Sequence, residues 1–119
     1  MKTVMVLGAS PNKRRFSHSC VKSLLRHGYE VLPVGKRKGE IDEVSIITDK
    51  PPVNNIDTVT LYLNAYNQKE YYKYLMDIAP NRIIFNPGAE NPELKAMAKE
   101  NNIDVTEACT LVMLNSGNF

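Results

Sequence analysis

An apolar run that stops at a glycine constrains the fold of this chain more than any other feature. Residues 4–7 (Val-Met-Val-Leu) are apolar, and Gly8, Ala9 and Ser10 follow them directly. The run is typical of a buried β-strand, and the glycine of a tight turn at its carboxyl end. Apolar residues then recur on one helical face up to Gly28, which suits the left-handed position after a helix. The chain therefore begins as strand, glycine turn and helix.

Two basic clusters follow the ends of predicted strands. Lys13, Arg14 and Arg15 lie in the turn after the first strand, and residues 36–38 (Lys-Arg-Lys) follow the second. A glycine turn before a helix directs backbone N–H groups and the positive end of the helix dipole at one spot, which favours an anion, most often a phosphate. Because parallel strands share one carboxyl edge of a sheet, we expect the two clusters to meet there.

The rest of the chain alternates between predicted strands and helices. Further strands are expected at Glu30–Val34, residues 58–63, Arg82–Phe85 and residues 103–105, with residues 44–47 as a candidate short edge strand. Helices are expected at about residues 67–78, with Asn67 and Glu70 as a capping box, and at residues 92–102. Residues 108–114 are expected to form a short helix or an apolar tail. This order predicts an α/β fold with a Rossmann-like, doubly wound, mainly parallel sheet of about five strands and helices on both faces. With 119 residues, we expect one domain spanning residues 1–119.

Composition and charge exclude several classes of function. The net charge of +2 is too small to indicate general affinity for nucleic acid. No apolar run approaches membrane-spanning length, and no signal peptide precedes the first strand, so a cytoplasmic location without membrane contact is expected. In that reducing setting Cys20 and Cys109 are expected to remain free thiols, with Cys20 in the core.

The residues at the end of the second strand bear on which nucleotide could bind. In a doubly wound sheet, ligands bind outside the carboxyl ends of the strands, where Gly8, Val34, Asn64 and Gly88 are predicted to lie. The dinucleotide fingerprint needs three glycines in the first turn and an acid after the second strand. Here Gly8 stands alone and Lys36 occupies the place of the acid. NAD is therefore disfavoured, whereas a phosphate on the adenosine ribose, as in NADP or coenzyme A, suits Lys36.

The same residues carry a resemblance to a known family. Residues 8–13 (Gly-Ala-Ser-Pro-Asn-Lys), the helix up to Gly28, residues 29–34 and residues 86–89 (Asn-Pro-Gly-Ala) resemble the small CoA-binding-domain proteins, which are similar to the N-terminal CoA-binding domain of the succinyl-CoA synthetase α subunit. The resemblance covers nearly the whole chain. It implies that the Gly-Ala-Ser turn holds the pyrophosphate and that the end of the second strand flanks the adenosine.

These arguments together define a set of candidate ligand contacts. The residues predicted to bind coenzyme A or an acyl-CoA are Gly8, Ala9, Ser10, Asn12, Lys13, Arg14, Arg15, Ser17, Val34, Lys36, Asn64 and Gly88. We predict no catalytic or metal-binding residue, and we expect His18 to be a surface residue. Tyr71 and Tyr74 are expected in the core, and Tyr66 or Tyr72 is expected to face a ligand or a partner chain.

Three classes of function remain open at this point. The first is binding of coenzyme A or an acyl-CoA without catalysis by this chain. The alternative is an enzyme, either an NADP-dependent reductase or an acyl-CoA ligase subunit that needs a partner. The third is a dimerisation module, for which the apolar residues 111–114 (Leu-Val-Met-Leu) are the hint; a homodimer or another protein partner would follow from it.

Overall fold

A parallel β-sheet with helices on both faces organises the protein. The computed structural model describes residues 2–119. The strands are β1 (Thr3–Leu7), β2 (Glu30–Val34), β3 (Glu40–Ile41), β4 (Val44–Ser45), β5 (Ile56–Leu61), β6 (Arg82–Phe85) and β7 (Asp104–Glu107); the helices are α1 (Phe16–Arg26), α2 (Ala65–Gln68), α3 (Tyr72–Ile78), α4 (Pro92–Glu100) and α5 (Thr110–Asn115), and a 3₁₀ turn (Lys69–Tyr71) joins α2 to α3. Five strands form the main sheet in the order β2-β1-β5-β6-β7, all parallel. The predicted fold class is confirmed.

The central strand β1 shows why helices cover both faces. All four of residues 4–7 are fully buried, and successive side chains of a strand point to opposite faces. Val4 and Val6 belong to a core cluster with residues of α1 and with Leu114 of α5. Met5 and Leu7 belong to a second cluster with residues of α3 and α4. A strand without a polar face therefore requires a layer of helices on each side.

Local sequence signals set two helix ends correctly. After α1, the N–H of Gly28 donates to Leu25 O and the N–H of Tyr29 donates to Leu24 O, each at 3.1 Å. Gly28 has φ +86°, so this is the glycine-closed ending predicted from its position. At the start of α4, the side chain of Asn91 accepts a hydrogen bond from the N–H of Leu94 at 3.1 Å. Both features depend on residues close in sequence.

The helix expected at residues 67–78 differs from the structure. It begins at Ala65, and Asn64 rather than Asn67 caps it, because Asn64 Oδ1 accepts from the N–H of Asn67 at 2.9 Å. The segment then passes through the 3₁₀ turn before α3. The capping box predicted from Asn67 and Glu70 is wrong, since Asn64 already ends the extended chain three residues earlier. Glu70 is thereby free to contact another part of the molecule.

The region between β2 and β5 does not add a strand to the main sheet. β3 and β4 form a small antiparallel hairpin, and the two residues between them, Asp42 and Glu43, have φ of 48° and 70°. Two positive φ angles are typical of the tight turns that favour hairpins. Ile47 makes a single parallel bridge with Val34 at the edge of the sheet. The candidate edge strand at 44–47 is therefore divided between a hairpin and one bridge.

The apolar residues 111–114 lie in a helix, α5, rather than in an extended tail. Within α5, Leu114 is buried and packs in the cluster that also contains Val4 and Val6 of β1. Val112 on the same helix is 62% exposed. Part of the apolar run at 111–114 thus belongs to the core. Among residues 2–119, no helix has the length and apolar character needed to cross a bilayer.

Candidate functional site

A cleft of about 520 Å³ opens at the carboxyl edge of the sheet, above the ends of β1, β2, β5 and β6. The predicted residues that line it are Gly8, Ala9, Ser10, Arg15, Ser17, Lys36, Asn64 and Gly88. Strand order places α1 on one face after β1 and the α2–α3 segment on the other face after β5, so the chain diverges here and leaves a crevice. The site therefore lies at the switch point of the sheet.

The turn after β1 is built by close backbone contacts. The N–H groups of Gly8 and Ala9 both donate to Val34 O, at 2.8 and 3.0 Å. Gly8 has φ +101°, and a side chain there would begin 2.9 Å from the carbonyl carbon of Tyr62. A side chain at Gly35 would begin 2.0 Å from Ala9 O. Both glycines are therefore required for packing this turn between β2 and β5.

The beginning of α1 lies in the cleft and is left without a cap. Arg15 occupies the cap position, no side chain caps the helix, and its first turn carries no acidic residue. Over residues 2–119, the backbone N–H groups of Phe16 and Ser17 have no hydrogen-bond acceptor. The first N–H groups of a helix are normally satisfied by a cap, water or a ligand. Together with the helix dipole, they give this end of α1 a positive potential.

His18 joins the turn to the helix that follows it. The side chain is buried, and Nδ1 lies 3.1 Å from Ser10 O. Because a carbonyl oxygen only accepts, Nδ1 carries the proton and donates to it. The expectation that His18 is a surface residue is wrong, since the turn folds back over the first turn of α1. His18 therefore holds Ser10 in position beside the free N–H groups of Phe16 and Ser17.

An ion pair links the two walls of the cleft. Lys36 Nζ, just beyond β2, lies 2.9 Å from Glu70 Oε2 in the 3₁₀ turn. The hydrogen bond with Glu70 raises the pKa of Lys36, and the same bond lowers the pKa of Glu70, so both groups are charged at neutral pH. Nearby, Lys50 Nζ lies 5.2 Å from the centre of the Tyr71 ring. Glu70 is not itself among the residues that line the cleft, but it places beside Lys36 a carboxylate that the sequence did not indicate.

A buried amide fixes the floor of the cleft. Asn86 Nδ2 donates to Thr60 Oγ1 at 2.6 Å and to Leu61 O at 2.8 Å. Its Oδ1 accepts from the N–H of Thr110 at 2.9 Å. Both the Nδ2 and the Oδ1 atom of Asn86 are therefore hydrogen-bonded within the protein, which is typical of a structural side chain. Asn86 holds the ends of β5 and β6 together beneath the cleft.

A second amide pair fixes the rear wall. Gln68 Nε2 donates to Leu63 O and to Ala89 O, both at 2.8 Å, and Asn91 Nδ2 donates to Gln68 Oε1 at 2.9 Å. Asn91 Nδ2 also donates to the hydroxyl of Tyr72 at 2.9 Å. The loops after β5 and β6 are thus tied to each other. Sequence reasoning identified Asn91 only as a cap, because these partners are more than 15 residues away in the chain.

Comparison with known proteins identifies the family. A family model described as "CoA binding domain" matches residues 2–115. This chain belongs to that family. Membership supports coenzyme A binding in general terms. No curated protein matches the sequence.

Solved structures share the fold of this CoA-binding domain. A crystal structure of a protein described only as uncharacterized is 44% identical, covers 100% of this chain and 98% of its own, and superposes with a TM-score of 0.97. A hypothetical protein from Pyrococcus horikoshii OT3 is 23% identical over 97% of this chain and 82% of its own, with a TM-score of 0.87. The dinucleotide-forming acetyl-coenzyme A synthetase 1 of Ca. Korarchaeum cryptofilum, solved with phosphate and ADP, is 14% identical over 90% of this chain but only 25% of its own, with a TM-score of 0.72. At identities below 25%, the last two show the fold alone.

Four of the predicted contacts of this CoA-binding domain do not line the cleft. Asn12, Lys13 and Arg14 are exposed and do not line the cleft, and Asn12 Oδ1 accepts from the N–H of Arg14 at 3.0 Å. Val34 is fully buried and contributes its carbonyl oxygen to the turn. Of the two basic clusters, Arg15 from the first and Lys36 and Arg37 from the second lie in the cleft.

The tyrosines and thiols divide between core and cleft. Tyr71 is buried as expected, while Tyr74 is half-buried and its hydroxyl donates to Pro51 O at 2.6 Å. Tyr66 is 77% exposed. Cys20 is fully buried, which confirms its place in the core, and burial raises the pKa of its thiol to about 12. Tyr62, whose hydroxyl has its pKa raised by burial, lines the cleft and was not among the predicted contacts.

Proposed function

We propose that this chain binds coenzyme A or an acyl-CoA in the cleft, with the diphosphate of the ligand against the beginning of α1. The observation that carries the proposal is the uncapped start of α1 inside the cleft, beside Arg15. Phosphate groups at a helix N-terminus accept hydrogen bonds from the free N–H groups and interact favourably with the dipole. A family of CoA-binding domains supplies the ligand class.

The donors proposed for the diphosphate differ from those expected from the turn alone. Gly8 and Ala9 direct their N–H groups to Val34 O, so they contribute the shape of the turn rather than hydrogen bonds to the ligand. The proposed donors are the N–H groups of Phe16 and Ser17, together with the hydroxyl of Ser17 and the guanidinium of Arg15. Charge-assisted hydrogen bonds of this kind are the stronger ones in proteins.

The remaining predicted contacts take secondary places in this proposal. Lys13 and Arg14, on the exposed side of the turn, would raise the local positive potential and speed ligand approach without touching the ligand. Asn12 would shape the turn through its bond to Arg14. Asn64 and Gly88, on the opposite wall, would flank the pantetheine arm.

The cleft's titratable side chains favour a binding role. Among residues 2–119 that line it, these side chains are Arg15, Lys36, Arg37, Tyr62 and Tyr71, a set of three cations and two phenols. Cations suit a polyanionic ligand, and the raised pKa values of both tyrosines keep their hydroxyls neutral. We therefore propose binding without catalysis by this chain. An NADP-dependent reductase and a partner-dependent ligase subunit are the alternatives, and titration with NADP separates the first of them from coenzyme A binding.

Thermal-shift and calorimetric titration with coenzyme A, acetyl-CoA, NADP and NAD test the proposal. At a free concentration of about 100 times Kd, coenzyme A should stabilise the fold by about 2.7 kcal/mol. NAD should give little shift, because the turn after β1 has one glycine of the three in the dinucleotide fingerprint and Lys36 takes the place of the acid after β2. A shift with NAD as large as that with coenzyme A contradicts the proposal, and a larger shift with NADP than with coenzyme A favours the reductase.

Two arginines at opposite ends of α1 provide a matched pair of variants. Arg15→Ala, at the start of α1, should weaken coenzyme A binding on the order of tenfold, the loss of one charge-assisted contact. Arg26→Ala, an exposed cation in the last turn of α1, should leave the affinity unchanged. Equal losses in the two variants would indicate attraction by net charge rather than a contact at the helix start.

A further inference from the structure

The adenosine side of the cleft contains opposite charges that face each other. Lys36 follows β2, at the position where dinucleotide-binding proteins carry a ribose-binding acid. Glu70 reaches Lys36 from the other wall, with Nζ and Oε2 separated by 2.9 Å. A ligand phosphate that approaches Lys36 therefore also approaches a carboxylate. We propose that Glu70 is a specificity-determining residue, which lowers the preference of the site for nucleotides with a phosphate on the adenosine ribose.

Lys36 and Glu70 are both attached to rigid parts of the backbone, so the backbone holds their side chains close to each other. Beside Lys36, the N–H of Gly35 donates to Ile47 O at 3.0 Å, and the backbone of Gly35 packs against Ala9. Beside Glu70, the side chain of Tyr71 is buried in the core. The side chains of Lys36 and Glu70 themselves are exposed, at 64% and 45%. The walls hold the charges within reach of each other while leaving them accessible to a ligand.

The Glu70 carboxylate should affect the binding of a phosphorylated ribose and of a ribose with free hydroxyls in opposite directions. A ribose phosphate carries about two negative charges and is repelled by the Glu70 carboxylate unless it takes Lys36 from it. Free ribose hydroxyls can instead donate hydrogen bonds to a carboxylate, as they do to the acid after β2 in dinucleotide-binding proteins. Because the pair is exposed, its charges are screened by salt, and the discrimination should shrink as ionic strength rises. This inference rests on the proposed nucleotide site and deepens it.

Coenzyme A and dephospho-coenzyme A differ only in the 3′-phosphate and therefore isolate the effect. In Glu70→Gln the carboxylate is lost and Lys36 is released, so the affinity for coenzyme A should rise about threefold to fivefold at low salt. The affinity for dephospho-coenzyme A should stay the same or fall. Lys36→Met leaves Glu70 unpaired and should weaken coenzyme A while leaving dephospho-coenzyme A nearly unchanged.

A second exposed ion pair on the same segment provides the control. Lys73 and Asp77 of α3 are 2.8 Å apart, and neither pairs with a residue that lines the cleft, whereas Glu70 pairs with Lys36 of the lining. Asp77→Asn removes a carboxylate of equal charge, and the ratio of the two dissociation constants should not change. An unchanged ratio in Glu70→Gln, a weaker affinity for coenzyme A in that variant, or an equal gain for both ligands would overturn the inference while the proposed function stands. Failure of the wild-type protein to bind either ligand would overturn the proposed function, and this inference with it.

Discussion

Two helices of this protein begin at the same edge of the sheet, and their beginnings differ. At α4, Asn91 caps the N–H of Leu94, Pro92 occupies the first helical position, and Glu93 adds a negative charge to the first turn. At α1, the cap position holds Arg15, no side chain caps the helix, and the first turn has no acidic residue. The free N–H groups at the start of α4 are capped within the protein, whereas those at the start of α1 are left for another group to bind.

The difference separates stability from binding. A cap and a first-turn acid each stabilise a helix by about 0.3–2 kcal/mol, so the α1 end forgoes stabilisation that the α4 end has. The uncapped end lies in the cleft, whereas Asn91 is buried and does not line it. We infer that α4 contributes rigidity to the site and that α1 contributes donors. The following variants test this contrast, from the largest expected effect to the smallest.

The turns before the two helices should tolerate a methyl group differently. Gly8 and Gly88 have φ of +101° and +92°, so alanine at either position costs about 1–2 kcal/mol of backbone strain. At Gly8 the new carbon also meets the backbone of Tyr62 at 2.9 Å, whereas at Gly88 nothing lies within 4 Å. Overpacking adds about 1–3 kcal/mol, so Gly8→Ala should lose about 2–5 kcal/mol in urea unfolding. Equal losses in the two variants would contradict the tight packing of the first turn.

Removal of the α4 cap should cost stability rather than contacts with a ligand. Asn91→Ala loses the cap and leaves Gln68 and Tyr72 without a donor, so we expect a loss of about 2–3 kcal/mol in the free energy of unfolding. Asn64→Ala, which removes the exposed cap of α2, should lose about 1 kcal/mol. A loss at Asn91 no larger than that at Asn64 would show that the buried amide pair contributes little.

Proline at the first position of α1 should reduce binding without reducing stability. Phe16→Pro removes an N–H that has no acceptor among residues 2–119, and Arg15 before it is extended (φ −83°, ψ 141°), as proline requires. If that N–H binds the diphosphate, coenzyme A affinity should fall about tenfold or more, measured by calorimetry. Phe16→Ala keeps the N–H and serves as the control for the lost ring. Equal affinities in the two variants would exclude this donor.

An artificial cap on α1 should raise stability slightly and weaken ligand binding. Arg15→Asp places a carboxylate at the cap position, where it can accept from the N–H of Ser17 and complement the dipole. The ligand-free protein should gain about 1 kcal/mol in chemical unfolding, and coenzyme A should bind more weakly. Arg26→Asp, at the other end of the helix, should not stabilise. If Arg15→Asp is more stable and still binds coenzyme A with normal affinity, the diphosphate does not bind at the start of α1.

Local signals explain why much of the architecture was predictable. The apolar residues 4–7, Gly28 after α1 and the Asn91-Pro92 start of α4 each act over a few residues, and the structure confirms all three. The start of α2 was misplaced because Asn64 and Asn67 carry the same capping signal. The surface position expected for His18 was wrong because its partner, Ser10, is reached only when the turn folds back.

The sequence by itself determined the order of strands and helices, the glycine turn and the basic character of the edge where Arg15 and Lys36 lie. These properties depend on patterns of apolar residues and on neighbours along the chain. Tertiary structure alone decided that Glu70 neutralises Lys36 and that the N–H groups of Gly8 and Ala9 turn to Val34 O. The physical reason is that ion pairs and hydrogen bonds between residues distant in sequence depend on how the strands are arranged in the sheet and how closely the walls of the cleft approach each other. No local sequence pattern specifies those distances.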